Sequence, residues 1–260
     1  MGADFAVYRY LGVSVILGTV PISQRLDPFK IGPMQPEAFG ELFPLFDVAN
    51  PETVDWLLSV ATEHEYPAER AVLMEDAWGN AVYFIQSGWV KVRRHAGDDF
   101  VTLAVLGQGD FFGEMAILDE SPRSTDVVAL SPVKLLSVSA QRFIQTLFKD
   151  SQLHHRMLQL MVQRLRMTNF RFQLRNQPPA VKLANTLASL SEAYGKAGEE
   201  GTEIFNIPTK DLADVTDISE DETTKIMEKI TEKGWLKVDT DRDVIVLTNT
   251  KQLAQLAGRL

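Results

Sequence analysis

Between Gly109 and Leu130 the chain reads GDFFGEMAILDESPRSTDVVAL. Gly113 and Glu114 open a short polar turn, and Arg123 and Ser124 close it, nine positions from Glu to Arg. A glycine-rich turn presents free backbone N–H groups, and an arginine offers a planar fork of donors that matches a phosphate. A serine hydroxyl adds one more donor. A carboxylate cannot hold a phosphate, but it accepts hydrogen bonds from a ribose hydroxyl. These four residues therefore form a small kit for a ribose phosphate. The competing reading is that Glu114 and Arg123 pair with each other on a barrel rim and bind nothing, and spacing alone favours it slightly.

The elements that must position this kit are short strands. From Tyr66 to Val138, runs such as AVYFIQSGWVKVRRH and DFVTLAVLGQGDFFG alternate with turn residues, the pattern of a small antiparallel barrel or sandwich. Ahead of them, from Glu37 to His64, apolar residues recur at three and four and predict two short helices. Asn50 is placed as an N-cap and Pro51 at the first helical position. From about Ala140 the pattern is helical again. Leu158, Met161, Leu165, Thr168 and Phe172 fall at steps of 3, 4, 3 and 4, a seam that faces a partner helix. Arg156, Arg164, Arg166, Arg171 and Arg175 surround it, with no acid between Gln152 and Asn176. The sequence NQPP at 176–179 breaks this helix and marks the main boundary. Beyond it come an amphipathic helix over 181–194, a loop, a helix with a tight turn near Thr216–Ile218, a second helix from about Ser219, and two strands around an Asp-rich turn.

FGEMAIL followed by PRST resembles the phosphate-binding cassette of cyclic-nucleotide-binding domains. Together with the order of elements, it resembles the cAMP receptor protein/FNR superfamily of transcription regulators, over about Phe39 to Leu247. The resemblance implies an α+β architecture: an antiparallel β jelly-roll cyclic-nucleotide-binding domain over 37–149, a dimerisation helix and hinge over 150–177, and a winged helix-turn-helix domain over 178–260. It implies that a cyclic nucleotide is the allosteric ligand. Glu114 would accept from the ribose 2′-hydroxyl, Arg123 would hold the phosphate and Ser124 would donate beside it. Gly113 and the amide of Glu114 would supply the close-approach backbone, with Met115 and Thr125 completing the cassette. Thr168 would meet the purine, or it is a tolerated polar seam residue that fixes register.

Two features depart from that pattern. Thr125 stands where the family carries alanine, and Asp126 follows it, on the same side of a strand as Ser124. The long helix also carries more cation than one cyclic phosphodiester needs. Arg164 and Arg171 thus become candidates for a larger ligand such as cyclic di-GMP, unless the arginines are a solvated basic face.

Composition bounds the function. The 260 residues are 45% hydrophobic, enough for a packed core, and include no cysteine, which excludes disulfides, thiolate clusters and cysteine zinc sites. His64, His95, His154 and His155 stand at no metal-ligand spacing, and no metal is expected. No apolar run approaches the ~20 residues of a membrane helix. YLGVSVILGTV reads as neither signal nor anchor, and a cytoplasmic location is expected. Residues 1–36 read as an N-terminal arm, or 1–33 as sequence upstream of a start at Met34. No nucleophile–base constellation is present, so no enzyme is expected.

Net charge is −9, and over 180–260 there are 15 acids against 10 Lys and Arg, a net of −5. DNA-binding surfaces are basic. The stretch resembling the family's recognition helix reads Ser219-Glu220-Asp221-Glu222-Thr223-Thr224-Lys225, with Glu220 at the position of an arginine and Glu222 at that of a groove-facing threonine. Ser219, Glu220, Glu222, Thr223 and Lys225 are the candidate contacts to DNA or to a partner. Two readings stay open: a homodimeric, ligand-gated DNA-binding regulator, and a ligand-gated adaptor whose acidic winged helix binds another protein.

Overall fold

A computed structural model describes residues 7–10, 13–16 and 36–259. Strands β1 (Val7–Tyr10) and β2 (Val13–Ile16) pair antiparallel. The rest of the expected arm lies outside the described residues.

Turn residues cut the apolar stretches into short pieces that bury one face each. After α1 (Pro36–Leu42) and α2 (Pro51–Val60) come β3 (Thr62–Tyr66), β4 (Ala71–Leu73), β5 (Ala81–Ser87), β6 (Val90–Ala96), β7 (Asp99–Leu106), β8 (Phe111–Phe112), the single turn α3 (Met115–Leu118), β9 (Asp126–Ala129) and β10 (Val133–Ser139). They form two antiparallel four-stranded sheets, ordered β3-β10-β5-β8 and β4-β9-β6-β7. Ile85, Val90, Phe112, Val127, Ala129, Val133 and Leu135 fill the space between them, as inward-facing residues of stacked sheets do. Gly88 has φ +84°, and a Cβ there would collide with the carbonyl of Pro132; the β5–β6 turn therefore requires glycine.

A second cluster packs the helices onto the first sheet. Phe39, Phe43, Phe46, Phe84 and Phe143 are fully or almost fully buried in it, with Phe39 and Phe43 ring centroids 4.6 Å apart. The cluster joins α1 and α2 to α4 (Ala140–Lys149) and the start of α5 (Ser151–Leu174). Asp150 ties these pieces together. Its buried carboxylate accepts from Gln152 N and Leu153 N at the start of α5, and from Asn50 N at 2.9 Å at the start of α2.

Asn50 thus differs from expectation. It precedes Pro51, but its side chain makes no cap and instead donates to Asp150 at 3.1 Å. The helical reading to His64 also overran. Residues 62–66 pair with β10, and His64 Nε2 lies 2.8 Å from Ser137 Oγ; sheet pairing overrides the local helical period.

The seam of α5 shifts by one residue at its second position. Met161 turns inward and packs on the core cluster, while Val162 is 48% exposed. The exposed apolar stripe is therefore Leu158, Val162, Leu165 and Phe172, with Thr168 and Asn169 both exposed at the intervening step.

The last unit comprises α6 (Pro179–Tyr194), β11 (Lys196–Ala197), β12 (Thr202–Phe205), α7 (Thr209–Thr216), α8 (Glu220–Glu232), β13 (Lys237–Asp239), β14 (Val244–Leu247) and α9 (Thr250–Leu256). Leu183, Leu187, Ile204, Ile230, Leu236, Ile245, Leu247 and Leu253 form its core. Asp217, at φ +54°, makes the left-handed step between α7 and α8, and Lys182 Nζ donates to its carbonyl at 2.9 Å. Ser219 caps α8 by accepting from Glu222 N. The acids Glu220, Asp221 and Glu222 in the first turn suit the helix dipole.

Candidate functional site

Gly113 follows strand β8, and its φ of +85° turns the chain into α3. Both members of the kit beside it are buried: Glu114 is 2% exposed and Arg123 4%. They do not pair with each other, as spacing alone had favoured. Arg123 donates from one terminal nitrogen to the carbonyl of Gly113 and from the other to the carbonyl of Ala81 at 2.8 Å. A Cβ on Gly113 would stand 2.7 Å from the first of these nitrogens, and one on Gly79 would stand 2.9 Å from Cζ. The guanidinium therefore lies between two glycines that admit it. Burial lowers its pKa, against the raising effects of Tyr83 and Glu114.

Glu114 is paired with Arg164 of α5. Arg164 also donates to the carbonyl of Phe111 at 2.6 Å, and its Cζ lies 4.3 Å from the Phe111 ring centroid, within cation–π range. One arginine thus connects the cassette to the long helix. The other arginines do not converge there. Arg156 binds the Pro44 carbonyl and Asp47, and Arg166 and Arg175 are exposed. Arg171 donates to the carbonyl of Leu103 on β7 at 2.8 Å.

Around the kit, Ser124 and Met115 are exposed and Thr125 is half-buried. Thr168 is exposed, and its hydroxyl donates to the Arg164 carbonyl at 3.0 Å. Asp126 does not present a free charge to the kit. Its oxygens accept from Glu75 N at 2.8 Å and from Arg93 Nε at 3.2 Å. Gly79 and Arg93 escaped the sequence reading. Gly79 sits in the turn WGN just before β5, a signal for close approach that was there to find; the pairing of Arg93 with Asp126 has no local signal.

The helix-turn-helix docks on the β4-β9-β6-β7 sheet of the jelly roll. Asp211 of α7, 3% exposed, receives Lys91 Nζ at 3.1 Å and Thr102 Oγ1 at 2.6 Å. Asp214 accepts from Thr102 N at 2.9 Å. Beside them Trp89 stacks on Phe205, with centroids 5.3 Å apart and planes 14° apart, and meets Tyr194 edge-on at 4.8 Å. The Tyr194 hydroxyl donates to Asp110 at 2.5 Å. Burial, and then the Asp110 carboxylate, push its pKa well above the usual tyrosine value. Val105, Leu130, Ile207 and Leu212 fill the interface.

Helix α8 keeps its outer face free. Glu220, Glu222 and Lys225 are exposed, as are Asp221, Glu228 and Glu232. Thr223 is not available as a contact: it is fully buried, and its hydroxyl donates to the Ser219 carbonyl at 2.9 Å. Its place one turn into the helix puts it on the inner face.

A family model of the cyclic nucleotide-binding domain matches residues 63–150. The cyclic AMP receptor protein of Thermus thermophilus is 28% identical over 197 residues, covering 75% of this chain and 88% of that protein. A CRP-like cAMP-activated global transcriptional regulator of Mycobacterium tuberculosis is 22% identical over 219 residues, covering 82% and 96%. Among solved structures, FixK2 from Bradyrhizobium japonicum superposes with a TM-score of 0.66 at 19% identity, over 76% of this chain and 97% of that one. The c-di-GMP responsive regulator CLP from Xanthomonas campestris does so with a TM-score of 0.61 at 21% identity, over 76% and 99%; both share the fold. No helix among the described residues is long and apolar enough to cross a membrane.

Proposed function

We propose that the chain is a member of the cAMP receptor protein/FNR superfamily and acts as a dimeric cytoplasmic transcription regulator gated by a cyclic nucleotide, cAMP or cyclic di-GMP. The observation that carries this reading is the guanidinium of Arg123, buried between Gly79 and Gly113 beside the buried carboxylate of Glu114. A guanidinium carries five donors, and two terminal nitrogens of Arg123 each spend one on a carbonyl. The remainder serve the cyclic phosphate, with Ser124 beside it. The ribose hydroxyl competes with Arg164 for Glu114. Ligand entry then exchanges an ion pair for hydrogen bonds and loosens the tie between the cassette and α5. Because α5 also leads into the winged helix, that exchange is the gating step. The exposed stripe Leu158, Val162, Leu165 and Phe172 supplies the dimer seam, and Asn169 fixes its register.

One observation favours a second reading of the output. The exposed face of α8 presents Glu220, Asp221, Glu222, Glu228 and Glu232 against Lys225 and Lys229. Acids at that surface repel phosphates, so α8 suits a protein partner as well as a duplex.

Calorimetry with cAMP, cGMP and cyclic di-GMP tests the ligand. One of them is expected to bind, and Arg123→Ala to cost roughly 2–4 kcal/mol, the range for losing a buried charge-assisted partner. Absence of binding by all three, or unchanged affinity in the variant, overturns the assignment.

A further inference from the structure

A cavity of about 120 Å³ opens where α5, α6, α7 and β7 meet. Met167, Leu174, Leu190, Leu212 and Val215 give it apolar walls. Most polar side chains around it are already engaged inside the protein. Asp211 is held by Lys91 and Thr102, and the Tyr194 hydroxyl by Asp110. Asn185 bonds the Ala257 carbonyl and Arg259, and Ser189 accepts from Arg259.

Arg171, at the exposed mouth, is different. It donates once, to the Leu103 carbonyl, and forms no ion pair with any acid among the described residues. A guanidinium with donors to spare above an apolar chamber complements a carboxylate with an apolar body. A cavity of about 150 Å³ with apolar walls takes up one benzene ring, so this one, at about 120 Å³, takes no more than a single ring or a short chain. A dianion fits poorly, since its second charge would face Asp211.

From this geometry we infer that the cavity is a second ligand site, taking a small monocarboxylate with one aromatic ring or a short aliphatic chain. The site is separate from Glu114 and Arg123. Its walls come from the jelly roll at Val105 and from the helix-turn-helix at Leu212 and Val215. It is complete only while the two are docked, so its ligand favours the docked arrangement.

The test uses the full chain with benzoate as probe, and benzamide, its uncharged counterpart, as comparison, followed by calorimetry. Benzoate is expected to bind about tenfold tighter than benzamide, the margin of one charge-assisted bond over a neutral one. Arg171→Gln is expected to bring that ratio near one, and Arg171→Lys to preserve most of it. Leu190→Trp, which fills the chamber, is expected to remove binding of both. The Arg123→Ala variant is expected to bind benzoate as the wild type does, whatever becomes of the cyclic nucleotide, so the two readings fail separately. Absence of benzoate binding, a ratio near one in the wild type, or a ratio unchanged in Arg171→Gln overturns the site.

Discussion

Arg164 and Glu114, fifty residues apart in the chain, form one ion pair in which the carboxylate is almost wholly buried, at 3% side-chain exposure. Removing one partner from such a pair leaves an uncompensated buried charge, at a cost of roughly 3–5 kcal/mol, whereas an apolar replacement of both is close to neutral. Half-exposure of the arginine puts this pair at or below the lower end. Arg164→Met is expected to lower the urea midpoint clearly, and Arg164→Met with Glu114→Gln to recover part of the loss. A double-mutant cycle giving a coupling energy near zero would show that the pair does not link the cassette to α5.

Gly79 bears on the same guanidinium. Its backbone is free of left-handed strain, so Gly79→Ala acts through the new Cβ alone, 2.9 Å from Arg123 Cζ and 3.2 Å from Ala116 Cβ. The variant is expected to remain folded and to lose on the order of tenfold in cyclic-nucleotide affinity, about 1.4 kcal/mol. Calorimetry showing wild-type affinity would mean that the guanidinium has room to move without losing its function.

The two neighbouring positions Met161 and Val162 separate the seam from the core. Leu165→Asp and Val162→Asp put a charge into the stripe, where desolvation is costly. Light scattering is expected to report monomers that keep their circular dichroism. Met161→Asp strikes the core cluster instead and is expected to lower thermal stability. A dimer that survives Leu165→Asp moves the interface elsewhere.

Asp150 makes stability depend on acid pH. Burial alone would raise its pKa, but the donors from Asn50, Leu153 and Gln152, with Thr53, outweigh it and hold the carboxyl below the usual carboxylate range. The folded value is depressed, so its contribution is present above the unfolded value of about 3.9 and is lost as pH falls through the folded one. Urea midpoints are expected to fall below about pH 4 in the wild type. Asp150→Asn is expected to be less stable at neutral pH and to show a shallower acid decline. An identical decline in both would assign the effect to other carboxylates.

The acidic face of α8 gives the sharpest test of the output. Glu220→Arg with Glu222→Thr removes two repelling carboxylates and adds one donor. Duplex affinity is expected to rise at least about tenfold at moderate salt, on the order of 1.4 kcal/mol. Should the wild type already shift a specific duplex at nanomolar concentration and the double variant lose it, Glu220 and Glu222 read bases. A protein partner released by the double variant points to the adaptor.

The cassette and the order of elements were legible because each is a local signal: a turn with Gly, Glu and Arg, period-two runs, a 3-4 stripe, a proline break. What was illegible depends on which face meets which neighbour. Met161 and Val162 both satisfy a 3-4 stripe, and only the packing of α5 on the core chooses between them. The four arginines of α5 look alike in sequence, yet one reaches Glu114 while another reaches β7. In sequence Asp211 and Asp214 are only two of the 15 acids of 180–260. In the fold they are docking residues on α7 whose partners, Lys91 and Thr102, lie on β6 and β7.

The docking of Asp211 also sets an order of events while the chain is made. Lys91 and Thr102 leave the ribosome more than a hundred residues before Asp211 does, and domains fold largely in order of synthesis. The newly made jelly roll must therefore stand for a time with Val105 and Leu130 uncovered and Lys91 unpaired, until α7 emerges. A chain cut at 176–179 would hold it permanently in that state. Its separated C-terminal piece would carry the matching apolar face of Ile207 and Leu212 around an unpaired Asp211. Either fragment expressed alone is thus expected to self-associate more readily than the intact chain.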